Sequence, residues 1–448
     1  MLGKNKLSKI TKKALLLAKE NGASDAEVVL QQGVEELTRF ANSEIHQSIS
    51  LTDSLVHIRV AVGKKVGVSR CNRLDAQGIR DCVKKAIELA NYQQIDPHYR
   101  GLPAKSSYIP THKHYQRLSH IGPKGRAKAI DIIIKEAKKV LHHASGAFSE
   151  SENETLIANS NGVLAYHRGL SASLTTILTG DKSTGFASQS GRGGSEIIAK
   201  NVARQAVYKA THGECIEVPP GEYEVILEPP AVAELMDFFA WFGPNARIFH
   251  EDVSFYQGNL GKQVFHESLT ILDDPLHKLG YPIGFDYEGT PKRPIVLVKA
   301  GTLNSVVYDS YHANKYKMEN TGHALLAPNT WGPTPTHLVV APGKHTKDQL
   351  IKNVKKGLLI TRFWYTRVVQ HKQLMLTGMT RDGTFYIENG KITGRVRNLR
   401  YTQSIVEAYK DIRGIGNKLE LHGSEGSPSL VPHLHIGTFR FTGITKHG

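Results

Sequence analysis

The segment "VPPGEYEVILEPPAVAELMDFFAWFG", residues 218–243, places a strand directly before a helix and separates two differently organised halves of the chain. Alternating apolar residues predict a strand from Tyr223 to Leu227. The strand stops at Pro229-Pro230, because proline has no N–H to donate to a sheet. Proline is tolerated in the first turn of a helix, so the apolar run that follows predicts a helix from about Ala231 to Phe242.

The first half contains helices that alternate with pairs of strands. In "HIRVAVGKKVGVSR", residues 57–70, apolar and polar residues alternate on both sides of Gly63, which predicts a hairpin. Upstream, residues 26–32 and 35–40 predict two strands around a turn at Gly33. The order helix, strands, helix occurs twice, so a diverged internal repeat is a hypothesis for this half.

The second half is rich in strands and has few helices. A capping box at Thr346 predicts one short helix, and Asn389-Gly390 between apolar runs predicts a tight hairpin turn. The sequence therefore predicts an α+β protein of two domains. Residues 1–218 form an N-terminal domain of helices and antiparallel strands, and residues 219–448 form a C-terminal, strand-rich domain.

Composition excludes several classes of protein. No apolar run of the 448 residues approaches the length of a membrane span, and the N-terminal apolar stretch is too short for a signal-peptide core, so a cytoplasmic location is expected. The three cysteines have neither disulfide nor zinc-finger spacing. The net charge of +16 is spread along the chain without a nucleic-acid-binding motif, which disfavours specific nucleic-acid binding, and an acidic protein partner explains the charge equally well.

Two His-Glu pairs, His250-Glu251 and His266-Glu267, match the opening letters of a zinc-protease helix. Such a helix needs a second histidine about one turn after the first, with the glutamate as general base. Neither pair is followed by a histidine at four or five residues, so both are interpreted as surface polar dipeptides.

His433 and His435 are two residues apart in a predicted strand, so both rings leave the same face, a spacing that some zinc sites use. No third ligand is signalled nearby, and exposed strand histidines are the favoured interpretation.

Residues 272–291, "LDDPLHKLGYPIGFDYEGTP", are rich in carboxylates. Asp273, Asp274, Asp286 and Glu288 fit acid–base chemistry or a hard cation, and they fit equally well the turns that Asp stabilises between Gly and Pro. From these patterns no catalytic, cofactor-binding or metal-ligating residue is assigned.

Five strings occur in order over nearly the whole chain: "RFANSEIHQS", "GVLAYHRG", "LGKQVFHESLTILDDPLHKLGYPIGFDYEGTP", "APGKHTKDQLIKNVKKGLLI" and "TGMTRDGTFYIENGKI". Together they resemble the TldD/PmbA family. The resemblance implies a cytoplasmic metallopeptidase of two subunits. The TldD subunit carries a His-Glu-x-x-x-His helix after the strand that opens its C-terminal half, and a late cysteine as a further ligand. Its companion, TldE (also called PmbA), keeps the fold without those ligands.

The string "FYQGNLG", residues 255–261, resembles the turn that follows the metal helix of the family. Counting back without gaps places that helix on "DFFAWF", where Phe238 replaces the catalytic glutamate and Phe242 the second histidine. The chain has no cysteine after Cys215. The resemblance therefore implies a TldE-type subunit that holds no cofactor itself and whose zinc is expected in a TldD-like partner.

Three functional hypotheses follow. The first is a metal-free subunit of a heteromeric metallopeptidase that processes or degrades unfolded peptides, such as leader peptides and antitoxins. The second is a self-sufficient metallopeptidase with other ligands, such as His433 and His435. The third is a non-proteolytic regulator of DNA gyrase or of toxin–antitoxin systems.

Overall fold

The computed structural model describes residues 1–115, 118–423 and 426–445. Its first half is built on one antiparallel sheet of six strands, in the order β3-β2-β1-β4-β5-β6. The strands are β1 (Asp25–Ala41), β2 (Glu44–Val62), β3 (Lys65–Cys71), β4 (His143–Asn159), β5 (Leu164–Thr179) and β6 (Thr184–Gly191). The helices are α1 (Lys4–Glu20), α2 (Ala76–Tyr92), α3 (Gly122–Lys139) and α4 (Ala199–Thr211).

The sheet has an internal two-fold pattern, because each of its two parts runs helix, three strands, helix. In the first part, a Cβ atom on Gly67 of β3 would lie 2.4 Å from the backbone nitrogen of Ala90 in α2. In the second part, a Cβ atom on Gly185 of β6 would lie 2.5 Å from the nitrogen of Ala210 in α4. The same close approach of helix to strand in both parts agrees with the repeat that the sequence suggested.

One local prediction in this sheet is wrong. Residues 26–32 and 35–40 form one continuous strand, and Gly33 pairs with Asp53 on one side and Asn153 on the other. The chain turns instead at Asn42-Ser43, where both residues have positive φ. Glycine is needed at position 33 because a Cβ atom there would lie 2.3 Å from Oδ1 of Asn153.

The second half contains two further sheets. One has the order β11-β10-β9-β12-β19-β18, and the other has the order β13-β8-β20-β16-β14-β15-β7, with β17 paired to β20. In the second of these sheets, β13 also pairs with β14, which closes the five strands β13, β8, β20, β16 and β14 into a ring. The strands are β7 (Cys215–Ile216), β8 (Gly221–Leu227), β9 (Ile271–Asp273), β10 (Ile295–Lys299), β11 (Thr302–Leu303), β12 (Leu338–Val340), β13 (Lys356–Gln370), β14 (Met375–Glu388), β15 (Lys391–Val396), β16 (Leu399–Ser404), β17 (Ile412–Ile415), β18 (Glu420–His422), β19 (Ser429–Val431) and β20 (Leu434–Ile444).

The helices of the second half are mostly short. They are α5 (Pro229–Phe242), α6 (Ala246–His250), α7 (Ser310–Tyr316), α8 (Lys347–Lys352) and α9 (Ile405–Lys410). Thr346 forms the predicted capping box at α8, and Asn389-Gly390 joins β14 to β15 as predicted. The α+β class is confirmed, with helices and strands first and a strand-rich region after them; the division between residues 218 and 219 stays a prediction. Within the described residues, no helix is both long and apolar enough to span a membrane.

Candidate functional site

Helix α5 lies where the resemblance predicts the metal helix of the family. It begins at Pro229, directly after the end of β8, with prolines in its first turn. One side of the helix enters the largest core, where Leu235, Met236 and Phe239 are fully buried. This burial fixes which residues of α5 remain at the surface.

The outer side of α5 carries aromatic rings. The rings of Phe238 and Phe242 stack at 6.4 Å with an interplanar angle of 13°, and His371 packs on Phe242 at 4.9 Å. Trp241 is 37% exposed and meets Trp331, which is 59% exposed, at 5.5 Å. We call these five residues the aromatic face. Both phenylalanines are partly buried and pack against the edge of the largest core.

Two carboxylates share this side of the helix. Asp237 reaches solvent, yet the surrounding protein and then Glu234 raise its pKa to about 6. The carboxylate of Glu234 accepts a hydrogen bond from the hydroxyl of Thr366. Burial also raises the pKa of Glu234.

The side chains of α5 do not fit a zinc ion. At the three positions where the resemblance places His, Glu and His stand Asp237, Phe238 and Phe242. A phenyl ring has no lone pair for zinc, which prefers nitrogen and sulfur ligands in tetrahedral sites. Even with Glu234 counted beside Asp237, this side of the helix offers two carboxylates, fewer than the three protein ligands of a catalytic zinc site.

The structure places both His-Glu pairs at the surface. His250 ends α6, stacks on Tyr316 at 3.6 Å, and its Nε2 lies 3.0 Å from the hydroxyl of Tyr308. Glu251 is exposed and forms an ion pair with Arg247 at 3.1 Å.

In the second pair, Nδ1 of His266 lies 2.9 Å from the hydroxyl of Ser268, and Glu267 is exposed. Each histidine of these pairs therefore has a local, non-metal partner.

The interpretation of His433 and His435 as exposed is wrong. His435 lies in β20, is 2% exposed, and its Nε2 is 2.7 Å from Oε1 of Glu224 in β8. His433 precedes β20 and is half-buried beside Glu228, and burial lowers its pKa to about 4. The local sequence pattern does not indicate that Glu224 is the partner of His435, because β8 and β20 are far apart along the chain.

The carboxylates of residues 272–291 do not converge on one site. Asp286 accepts the backbone N–H groups of Glu288 and Thr290 through Oδ1, as the turn interpretation expects. Asp274 likewise accepts the N–H of Leu276.

The other two carboxylates pair with distant cations. Glu288 pairs with Arg59 of β2 at 3.0 Å. Asp273 is fully buried between Lys292 at 3.5 Å and His323 at 3.0 Å. Asp274 and Asp286 thus stabilise turns, Asp273 pairs within the second half, and Glu288 joins the two halves.

The structure brings together one group that the sequence did not signal. Within the described ranges, ligand atoms of Glu36, His120 and Glu150 lie within 4.8 Å of one another. The guanidinium of Arg126 already bonds both glutamates, at 2.6 and 2.8 Å. This arginine supplies the positive charge that a metal would otherwise bring. His120 lies in a stretch without periodicity, so the sequence offered no signal for it.

Comparisons with known proteins agree with this architecture. Relatives named as metalloproteases include PmbA of Escherichia coli O157:H7, 23% identical over 96% of both chains, and a TldD homologue of Haemophilus influenzae, 23% identical over 82% of this chain and 80% of its own. A metalloprotease of Methanothermobacter thermautotrophicus is 24% identical over 65% of this chain and 66% of its own.

Solved structures share the fold. TldE of Thermococcus kodakarensis superposes with a TM-score of 0.86 at 19% identity, over 98% of this chain and 100% of its own. A protein of Thermotoga maritima described as a proposed modulator of a DNA gyrase superposes with a TM-score of 0.82, also at 19% identity, over 97% of this chain and 100% of its own.

Family models described as PmbA/TldA metallopeptidase domain 1, central domain and C-terminal domain match residues 26–90, 120–213 and 220–441 in that order. Because these three matches together span most of the chain, the protein belongs to the PmbA/TldD metallopeptidase family.

Proposed function

We propose that this chain is the TldE-type, metal-free subunit of a heteromeric metallopeptidase that acts on unfolded peptides in the cytoplasm. In this proposal a TldD-like partner, recognised by its His-Glu-x-x-x-His sequence, holds the zinc and activates the water. Proteolysis then requires both chains, although only one carries the metal.

The observation that carries the proposal is the aromatic face of α5. Phe238 and Phe242 stand where the family's metal helix would present ligands, and their stacked rings place aromatic carbon there. Trp241 and Trp331 extend it into solvent. Exposed tryptophans beside apolar rings are typical of the energetic centre of a protein–protein interface. We therefore infer that the partner covers this face and that this chain forms one wall of the chamber.

A second surface supports assembly. The N-terminal part of β2, residues 44–53, is exposed on both faces. Strand β3 covers the outer edge of β2 only from Val56 onward, so it does not pair with residues 44–53. The apolar side chains Ile45 and Ile49 of this part of β2 are each 43% exposed, and Leu51 is 57% exposed. A long, exposed strand edge with apolar side chains at intervals is a template for pairing with another chain.

The two alternatives have less support. A self-sufficient peptidase needs free ligands, but His435 is engaged by Glu224, and Arg126 neutralises the Glu36 and Glu150 group. Regulation of gyrase rests on the description given to the Thermotoga maritima protein, whose low identity transfers only the fold.

Reconstitution tests the proposal. The purified chain, a TldD-like homologue from the same source, and their mixture are incubated with an unfolded peptide, and cleavage is followed by mass spectrometry. The proposal predicts that the peptide is cleaved when the two chains are mixed and is not cleaved by either chain on its own. It also predicts loss of cleavage when the partner's catalytic glutamate becomes glutamine, since that group activates the zinc-bound water. Cleavage by this chain alone would support the self-sufficient peptidase instead.

A further inference from the structure

A cavity of about 300 Å³ lies where α4 of the first half meets the junction of β8 and α5. Residues from both halves line it, and most of them are polar or charged. Those that matter here are Arg204, Tyr208, Lys209, Glu228, Lys347 and His433. Its volume suits a small polar group rather than a folded segment.

One carboxylate in this cavity holds two ammonium groups. Oε2 of Glu228 lies 2.7 Å from Nζ of Lys209, and Oε1 lies 2.5 Å from Nζ of Lys347. The side chains of Glu228 and Lys209 are 6% and 7% exposed, and that of Lys347 is 35% exposed. An ammonium has three N–H donors, so one bond to Glu228 leaves each lysine with donors for a further acceptor.

Cations outnumber carboxylates around the cavity. Arg204, Lys209 and Lys347 line the cavity together with Glu228 and Glu420. Buried Lys209 shares its one carboxylate, Glu228, with Lys347, so the buried ammonium is only partly neutralised, and a bound anion would complete that neutralisation. We propose that this cavity binds a small anionic group, a carboxylate or a phosphate, between the two halves of the chain.

The surroundings define how the anion is held. Positions 229 and 230 are prolines, so the first turn of α5 offers no N–H there, and the donors must be side chains. Lys347 and Arg204 lie toward solvent and can meet the entering anion, whereas buried Lys209 forms the floor. The positive end of the α5 dipole adds to the attraction.

Calorimetric titration of the full chain tests the site with three probes: inorganic phosphate, N-acetylalanine and N-acetylalanine amide. We expect saturable binding of phosphate, of N-acetylalanine or of both, and none of the uncharged amide. Lys347→Gln and Arg204→Gln should each weaken binding about tenfold, which corresponds to about 1.4 kcal/mol. The matched control is Lys352→Gln, an exposed lysine at the other end of α8, which should leave binding unchanged.

The outcomes separate cleanly. Binding of phosphate alone or of N-acetylalanine alone supports the site and identifies the source of the anion. The proposal is overturned if neither anion binds, or if binding survives both Lys347→Gln and Arg204→Gln, because the anion would then sit elsewhere. Since Arg204 is exposed, its variant keeps the test decisive even if Lys347→Gln perturbs folding. The chain is titrated without a partner, so failure here is distinct from failure of the reconstituted peptidase.

Discussion

The ammonium of Lys209 lies 2.7 Å from Oε2 of Glu228, and this buried pair joins helix α4 of the first half to the strand–helix junction of the second. Burial lowers the pKa of Lys209 even beside Glu228, and burial by itself would raise the pKa of Glu228. For Glu228 the two neighbouring lysines outweigh burial, so its pKa falls well below the usual value. Glu228 is therefore ionised at neutral pH, and its contact with Lys209 links the halves.

Replacing Lys209 by methionine should destabilise the protein, because Glu228 would lose its buried partner. Removing one member of a buried ion pair typically costs about 3 kcal/mol or more. We expect the free energy of unfolding, measured by urea denaturation, to fall by about that amount. Lys352→Met, at an exposed position, is the control. Equal stability of the two variants would show that the pair does not hold the halves together.

Adding a methyl group at Gly67 should disrupt the packing of α2 on β3. The new Cβ atom would lie 2.2 Å from the carbonyl oxygen of Ala86, which belongs to backbone and cannot rotate away. Overpacking of this kind costs about 1–3 kcal/mol. Gly221→Ala is a matched control, since its new Cβ atom would make only an ordinary contact, 3.7 Å from the ring of Tyr223. Gly67→Ala should therefore lower the midpoint temperature of thermal unfolding, and Gly221→Ala should leave it nearly unchanged.

Charge on α5 should act differently on its two sides. Phe239 is fully buried, so Phe239→Asp should prevent folding at a cost of several kcal/mol, measured by circular dichroism. Trp241 is exposed, so Trp241→Asp should fold normally and lose assembly with a TldD-like partner in size-exclusion chromatography. If Trp241→Asp co-elutes with the partner as well as the parent chain does, the aromatic face is not the interface.

The surface pair His250-Glu251 should contribute nothing to the chemical step. Glu251→Gln removes only an exposed ion pair with Arg247, and such pairs contribute about 0–1 kcal/mol. Turnover of an unfolded peptide by the reconstituted complex should stay within about twofold of the parent. A hundredfold loss with assembly intact, about 2.7 kcal/mol, would make Glu251 catalytic.

Stability should depend on pH through His337. Burial, and then Lys292, lower the pKa of His337 to about 3 from its ordinary value of 6.5. The folded state therefore binds fewer protons, and the stability present above about pH 6.5 is lost as the pH falls toward 3. Glu27 and Asp286, whose pKa values are raised to about 7, act in the opposite direction, so the parent alone is not informative.

The measurement is the difference in unfolding free energy between His337→Gln and the parent chain. As the pH falls from 6 to about 4.5, the unfolding free energy of the variant should rise relative to that of the parent by about 1.4 kcal/mol per pH unit, the value for one proton. A constant difference over that range would show that His337 titrates normally.

Local signals in the sequence were enough to predict much of the fold. The helix after Pro229-Pro230, the capping box at Thr346 and the turn at Asn389-Gly390 each depend on neighbouring residues, and all are present in the structure. Gly33 misled because glycine marks turns as well as strands in which another side chain approaches closely.

Features of the site that depend on distant residues could not be predicted. His435 looked exposed because its partner Glu224 lies 211 residues away, and nothing in the local pattern links the two. The pairing of Lys209 with Glu228 likewise depends on how α4 packs against the second half. The family resemblance located α5, but only the packing of the chain reveals that Phe238 and Phe242 lie partly buried at the edge of the core.

Metal analysis tests the central claim most directly. The chain is expressed alone with zinc in the medium, dialysed, and its zinc measured by mass spectrometry next to the complex with a TldD-like partner. A structural or catalytic zinc is held too tightly to be lost in dialysis, so the account predicts below about 0.1 zinc per isolated chain and about one zinc per complex. About one zinc in the isolated chain, lost in a His433→Ala/His435→Ala variant, would contradict it.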